Sequence, residues 1–249
     1  MPYQERMRTA IAKRMWASVH MQELNRRLVE YEALPRYTLE SVGTEIAGTV
    51  RFVEINQPPK ELSFVLGDLI NNLRTSLDYA ACALLRRDDP QASVKYVQFP
   101  YGDKNTPLTS KQKRGSGVSV VSAESLNAIE HVRATYADSL ELLNSLSNQD
   151  KHRLIVPVFF HPKPYRFVFS GTPPVPELTL DTADISDAWD RPLKTGDTFP
   201  ITNAVKLDLG MYVDDLDKIV PVNALAGVYN DTMKALEFIA QELGFTVEI

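Results

Sequence analysis

In the stretch "SNQDKHRLIVPVFF", residues 147–160, four consecutive ionisable residues stand directly against an apolar run. Asp150, Lys151, His152 and Arg153 together supply a carboxylate, an ammonium, an imidazole and a guanidinium. Histidine titrates near pH ~6.5 and suits proton transfer, while a fixed guanidinium stabilises a developing oxyanion. Asp150 continues at spacing four the apolar row Leu143 and Leu146, so it is expected to point into the protein. A carboxylate placed there needs a partner, because burying it alone costs several kcal/mol. The expected partner is Arg74, with Asp68, Asn71, Asn72, Asp78 and Asn148 as the surrounding polar network. Lys151 should point outward, and His152 shares a face with Asn148. A purely structural account covers the same residues: Arg74 and Asp78 have an ordinary helical ion-pair spacing, and Lys151, His152 and Arg153 complement the negative end of a helix dipole.

Those groups sit on elements that the sequence patterning makes visible. Residues 3–33 lack glycine and are rich in helix formers, and Ile11, Met15, Val19, Leu24 and Leu28 are expected on the side facing the core. Residues 37–55 carry Thr, Val and Ile punctuated by Gly43 and Gly48, which predicts a β-hairpin. Over 61–88, Leu66, Leu69, Ile70, Leu73, Leu77, Ala80, Ala81 and Leu84 share one wide helical face, with Asp68, Asn71, Arg74, Thr75 and Asp78 opposite. Helical spacing returns in 122–153. Between these helices the segment with Lys104, Lys111, Lys113 and Arg114 is expected to be a surface loop, after a short extended piece at 96–99. Residues 154–213 turn to strand patterning in "LIVPVFF", "YRFVFSG", "ELTL" and "VKLDLGMYV", separated by proline-rich turns. Pro221 is expected to open a last helix, 221–243, closed by Gly244. The fold class is therefore α+β in a single domain, 1–249: a bundle of about five helices, a β-hairpin after the first, and an antiparallel β layer, within β elements 37–55 and 154–213, inserted before the last.

The chain of 249 residues, 44% hydrophobic and 24% charged, is long enough for a substantial core. A formal net charge of -5 argues against a general nucleic-acid binder. Neither a secretory signal nor a run of roughly 18–20 apolar residues is present, so a soluble, cytoplasmic protein with no membrane partner is expected. One cysteine, Cys82, precludes an internal disulfide, and four scattered histidines give no reason to expect a metal; no cofactor is expected either. Neither "GTEIAG" nor "GSG" has the strand, turn and helix order of a phosphate loop, and no Gly-x-Ser-x-Gly elbow supports a hydrolase triad.

The blocks "HMQELN" (20–25), "GDLINNLRTSLDYAA" (67–81), "QFP" (98–100) and "SNQDKHRL" (147–154) occur in order. Together they resemble a widespread uncharacterised bacterial family with a Gly-Asp-x-x-His-Asn-Leu-Arg-Ser-Ala-Leu-Asp helix, a Phe-Pro pair and an Asn-x-Asp-Lys-His-Arg element. Gly67, Asp68, Asn72, Leu73, Arg74, Leu77, Asp78, Asn148, Asp150, Lys151, His152 and Arg153 fall on the shared positions. Asn71 stands where the family usually has histidine. The resemblance spans roughly residues 15–160 and brings no activity with it. A looser similarity is to HEPN helical-bundle proteins, often homodimeric and many of them metal-independent ribonucleases of bacterial defence or toxin systems. Their Arg-x(4–6)-His signature is matched by Arg14 to His20 in "RMWASVH".

Two readings follow. The first is a non-enzymatic binding or scaffold protein, in which the Arg/Asp/Asn network joins two helices. The alternative is an HEPN-like ribonuclease acting on RNA, with a homodimer implied, in which Arg14 and His20, or His152 with Arg153 and Arg74, carry the chemistry.

Overall fold

A computed structural model describes residues 2–42, 49–101, 107–153, 158–164, 194–200 and 205–245. Two long helices, α1 (Tyr3–Glu32) and α2 (Lys60–Asp88), pack along their lengths. Between them the chain makes β1 (Tyr37–Val42) and β2 (Thr49–Ile55). The two helices run antiparallel. Arg6 near the start of α1 lies over the Tyr79 ring late in α2, and Tyr31 at the far end donates to the carbonyl of Asn56 at 2.5 Å.

A short α3 (Ser110–Gly115) follows, then α4 (Ala123–Thr135) and α5 (Ala137–Arg153). After these come β3 (Val158–Pro164), β4 (Thr198–Pro200), β5 (Val205–Val213), a 3-10 turn (Asp214–Leu216), β6 (Lys218–Pro221) and α6 (Ala224–Glu242). The architecture is α+β, with six α-helices among the described residues and two antiparallel sheets, ordered β1-β2-β4 and β3-β5-β6. No described helix is long and apolar enough to cross a membrane.

The centre is α2. All eight residues of its expected apolar face are buried, and so are Cys82 and Leu85 on the opposite side. A helix covered all round must be apolar nearly all round, which is why its few buried polar residues matter. Val158, Met211, Val213 and Val220 bring the β3-β5-β6 sheet onto the same core.

The outer elements depart from expectation. On α1 the buried face is Met7, Ala10, Arg14, Ala17, Leu24 and Tyr31, whereas Met15, Trp16 and Val19 are exposed. The buried face mixes small alanines with Met7, Leu24 and Tyr31, so of the expected inward residues Leu24 is buried while Met15 and Val19 are turned outward. Pro221 ends β6 opposite Gly210 rather than opening the last helix. Gly244 does close α6: at φ 73° its N–H donates to the carbonyl of Gln241 and the Phe245 N–H to that of Ala240, a Schellman motif. The expected loop contains α3, begun by a capping box in which Thr109 and Gln112 exchange backbone bonds. Of the expected strands, 205–213 is β5; "YRFVFSG" and "ELTL" lie outside the described residues, as do Leu154–Pro157. Strand β4 joins the hairpin sheet through β2 instead of the later layer.

At Gly67 the α5 helix comes close to α2: a Cβ there would lie 2.8 Å from Asp150 Oδ1. Gly67→Ala gains helix propensity of ~1 kcal/mol but overpacks this contact at ~1–3 kcal/mol, so a net loss is expected. In an Asp150→Ala background the same change should be neutral or stabilising by up to ~1 kcal/mol. Denaturant unfolding of the four proteins checks this, and equal effects in both backgrounds would refute the close approach. Burial raises the Cys82 thiol from its ordinary value of 9.0 to about 11. The unfolded chain therefore deprotonates first, so stability is complete below pH 9.0 and declines as pH rises towards about 11. Labelling by a thiol reagent near neutral pH should be slow in the native protein and fast in denaturant, and rapid native labelling would contradict that burial.

Candidate functional site: the Arg74 cleft

The antiparallel crossing of α2 and α5 buries a guanidinium. Arg74 is 6% exposed and holds Asn144 on α5, its Nη1 donating to Oδ1 at 2.7 Å. Its Nη2 donates to Gln98 Oε1 at 3.3 Å. The guanidinium carbon lies 4.2 Å from the centre of the Tyr101 ring, a cation–π contact in a desolvated setting. Asp78, one turn along α2, stands 3.9 Å from Nε, and Nε itself has no hydrogen-bond partner. Asp78 Oδ1 instead accepts the backbone N–H of Phe99 at 2.8 Å. Through Arg74 and Asp78, α2 fixes the irregular segment Gln98–Tyr101, and the N–H of Gln98 donates to the Ser116 carbonyl just past α3. Arg133 on α4 completes the anchorage by donating to the Tyr101 carbonyl at 2.8 Å.

Above the guanidinium lies a cleft of about 280 Å³ lined by Arg74, Gln98, Tyr101, Gln112, Ser116 and Asn144 among others. The Tyr101 hydroxyl is buried and has no hydrogen-bond partner. Desolvation pushes its pKa well above the ordinary tyrosine range, so at neutral pH it is an O–H donor.

The expected Arg74–Asp150 pair does not form. The two helices do pack together, as anticipated, but Asp150 lies beside Gly67, which is seven positions before Arg74. At 1.5 Å per residue that places Asp150 roughly 10 Å along the axis from the guanidinium, which meets Asn144 instead. Asp150 is half-buried. The wider network is also redistributed. Asp68 and Asn71 are exposed, and Asn72 is buried with its amide donating to the Asp68 carbonyl at 2.8 Å. Asn148 is half-buried. Within the "SNQD" block it is Gln149 that joins two elements, donating to the Tyr212 carbonyl at 3.0 Å and accepting from the Asp214 N–H at 3.2 Å.

Arg14 and His20 are not brought together. Arg14 is buried against α6, with Nε 3.2 Å from Met233 Sδ and Nη2 3.5 Å from Glu237 Oε1. His20 lies beside the exposed Trp16 ring. His152 and Arg153 occupy the last turn of α5, and their side chains lie outside the described residues. Gln98, Tyr101, Gln112 and Asn144 are the site residues that sequence reasoning did not select. One signal was available: Asn144 interrupts the Leu140, Leu143, Leu146 row on the same part of the helix, and an amide there fits a buried donor opposite.

Arg74→Lys keeps the charge but loses the fork that reaches two amide oxygens, and should cost ~1–3 kcal/mol. Asn144→Ala strands a buried Nη1 donor and should cost a similar ~1–3 kcal/mol, whereas exposed Asn71→Ala should stay within ~0.5 kcal/mol. Urea unfolding decides; a large effect at Asn71 with none at Asn144 would overturn the assigned register. No family model, curated protein or solved structure compared with this chain matches it, so what the cleft does must follow from the groups that line it.

Proposed function

We propose that this chain is a non-enzymatic binding protein whose polar network between α2 and α5 both fixes the helices and receives a small ligand over Arg74. The observation that carries this reading is a buried guanidinium, its Nε without a hydrogen-bond partner, in the lining of a cleft of about 280 Å³. A buried cation left short of partners costs free energy, and a ligand that completes them recovers it. The polar groups lining the cleft are amides, hydroxyls and the guanidinium. None of these takes up or releases a proton near neutrality, since Tyr101 is held protonated by burial. That favours binding over acid–base chemistry at this place.

The ribonuclease alternative would draw on His152 with Arg153, or on Arg14 and His20. A homodimer, which that alternative implies, has a suitable face in Met15, Trp16 and Val19, exposed together along α1. Incubation with single-stranded RNA separates the two readings. The binding reading expects no cleavage by the wild type, and cleavage that His152→Ala or His20→Ala abolishes would overturn it. A screen of small polar compounds by thermal shift should yield ligands that raise the melting temperature of the wild type by several degrees at ~100-fold excess over Kd, and that fail to do so for Asn144→Ala.

A further inference from the structure

The orientation of the amides around Arg74 fixes what kind of group the cleft accepts. A guanidinium has donors only, so the atoms of Asn144 and Gln98 that face it must be their oxygens. Gln112 is fixed in the same way, because its Oε1 accepts the backbone N–H of Thr109 at 2.9 Å. Each amide therefore spends its acceptor inside the protein and keeps its NH2 group, for which no bond is formed among the described residues. The hydroxyl of Tyr101, a residue of the lining, is buried and is a further donor without a partner. Arg74 retains one unused hydrogen on each terminal nitrogen after its bonds to Asn144 and Gln98. Apart from Ser116, whose Oγ donates to the Gln112 carbonyl at 2.8 Å, the polar side chains among the described lining residues offer donors.

The complement of a donor-lined wall is a group that only accepts. Ionised carboxylate is such a group, with two oxygens at the spacing of a guanidinium fork. The charge balance selects among anions. Arg74 is the one cation among the described lining residues, and Asp78 at 3.9 Å already offsets part of it. Lys111, Lys113 and Arg114 of α3 are not among the lining groups. A dianionic phosphate would bring a second charge with no further cation among the described lining residues to meet it, and an unpaired buried charge is strongly unfavourable.

We infer that the Arg74 cleft binds a monocarboxylate, held by the guanidinium, the Tyr101 hydroxyl and the side-chain amides of Asn144 and Gln98. This rests on the reading of the cleft as a binding site. The test is an NMR titration of the full-length protein with sodium acetate to ~100 mM at constant ionic strength, with acetamide and inorganic phosphate as parallel probes. Acetate should shift the side-chain amide signals of Asn144 and Gln98 saturably, and the other two probes should not. Tyr101→Phe keeps the ring under Arg74 and removes an unpartnered buried hydroxyl. It should therefore fold with undiminished melting temperature yet bind acetate about tenfold more weakly, a split that a merely structural role would not produce.

Tighter binding of phosphate at the same signals would overturn the carboxylate assignment while leaving the cleft a binding site. Equal binding of acetamide would do so too, by removing the need for charge. Acetate shifts that persist unchanged in both Tyr101→Phe and Arg74→Lys would identify an unspecific anion effect and reject the inference. If no probe shifts these signals, the inference fails, and the binding reading fails with it only if the wider compound screen also finds nothing at the cleft.

Discussion

A guanidinium enclosed at the crossing of two helices is the constraint around which this part of the molecule is arranged. Arg74 cannot be deprotonated to relieve its burial, so protein groups must supply what water would have supplied. They come from three directions: Asn144 from α5, Gln98 from an irregular segment, and the Tyr101 ring from beneath. The partners lie on two stretches of chain separate from α2, namely α5 and the segment that holds both Gln98 and Tyr101. Satisfying one charge therefore ties α2, α5 and Gln98–Tyr101 into a single arrangement, and Asp78 reinforces it through the Phe99 N–H.

The apolar core and this polar corner do different work. Hydrophobic burial brings α1, α5 and α6 onto α2 but is nearly indifferent to small sliding of one helix along another. The contact of Asp150 with Gly67 and the bond of Asn144 to Arg74 lie about two turns apart and remove that freedom. Side-chain bonds between distant parts of the chain repeat the device elsewhere. Ser139 donates to Asp231 at 2.6 Å, joining α5 to α6, and Gln149 joins α5 to the end of β5. Polar contacts thus set register on a core whose cohesion is apolar.

How much of this was legible in the sequence depends on the kind of information each feature needs. Helix α2, the hairpin and the last helix follow from periodicity within one segment, and the structure places them close to where the spacing does. That Arg74 is buried and faces α5 was also readable, from a polar stripe that turns apolar at Cys82 and Leu85. Its partner was not. Choosing Asn144 over Asp150 requires the axial register of two helices 70 residues apart, and charge complementarity pointed to the wrong one. The exposed Met15, Trp16 and Val19 show the same limit: α1 has more than one apolar stripe, and the one that holds Ala10 and Ala17 is buried. Helix α3 was within reach, because Thr109 and Gln112 spell a capping box. Its six residues were simply too few for periodicity to register.

Comparison with the other buried arginines explains why the Arg74 corner differs from ordinary structural pairing. Among the described residues Arg14, Arg74 and Arg133 are all buried. Arg14 reaches the carboxylate of Glu237 at 3.5 Å, and Arg133 donates directly to that of Glu130. Both have a counter-charge within contact. Arg74 is surrounded by neutral amides, and its one acidic neighbour stands off at 3.9 Å with an oxygen committed to backbone. A chain that needs only to hold two helices together is served better by a closed ion pair, since leaving a buried charge partly compensated is costly. Amides at that position orient the guanidinium without neutralising it. On the reading proposed above, that retained charge and the amide donors beside it are what an anion would meet.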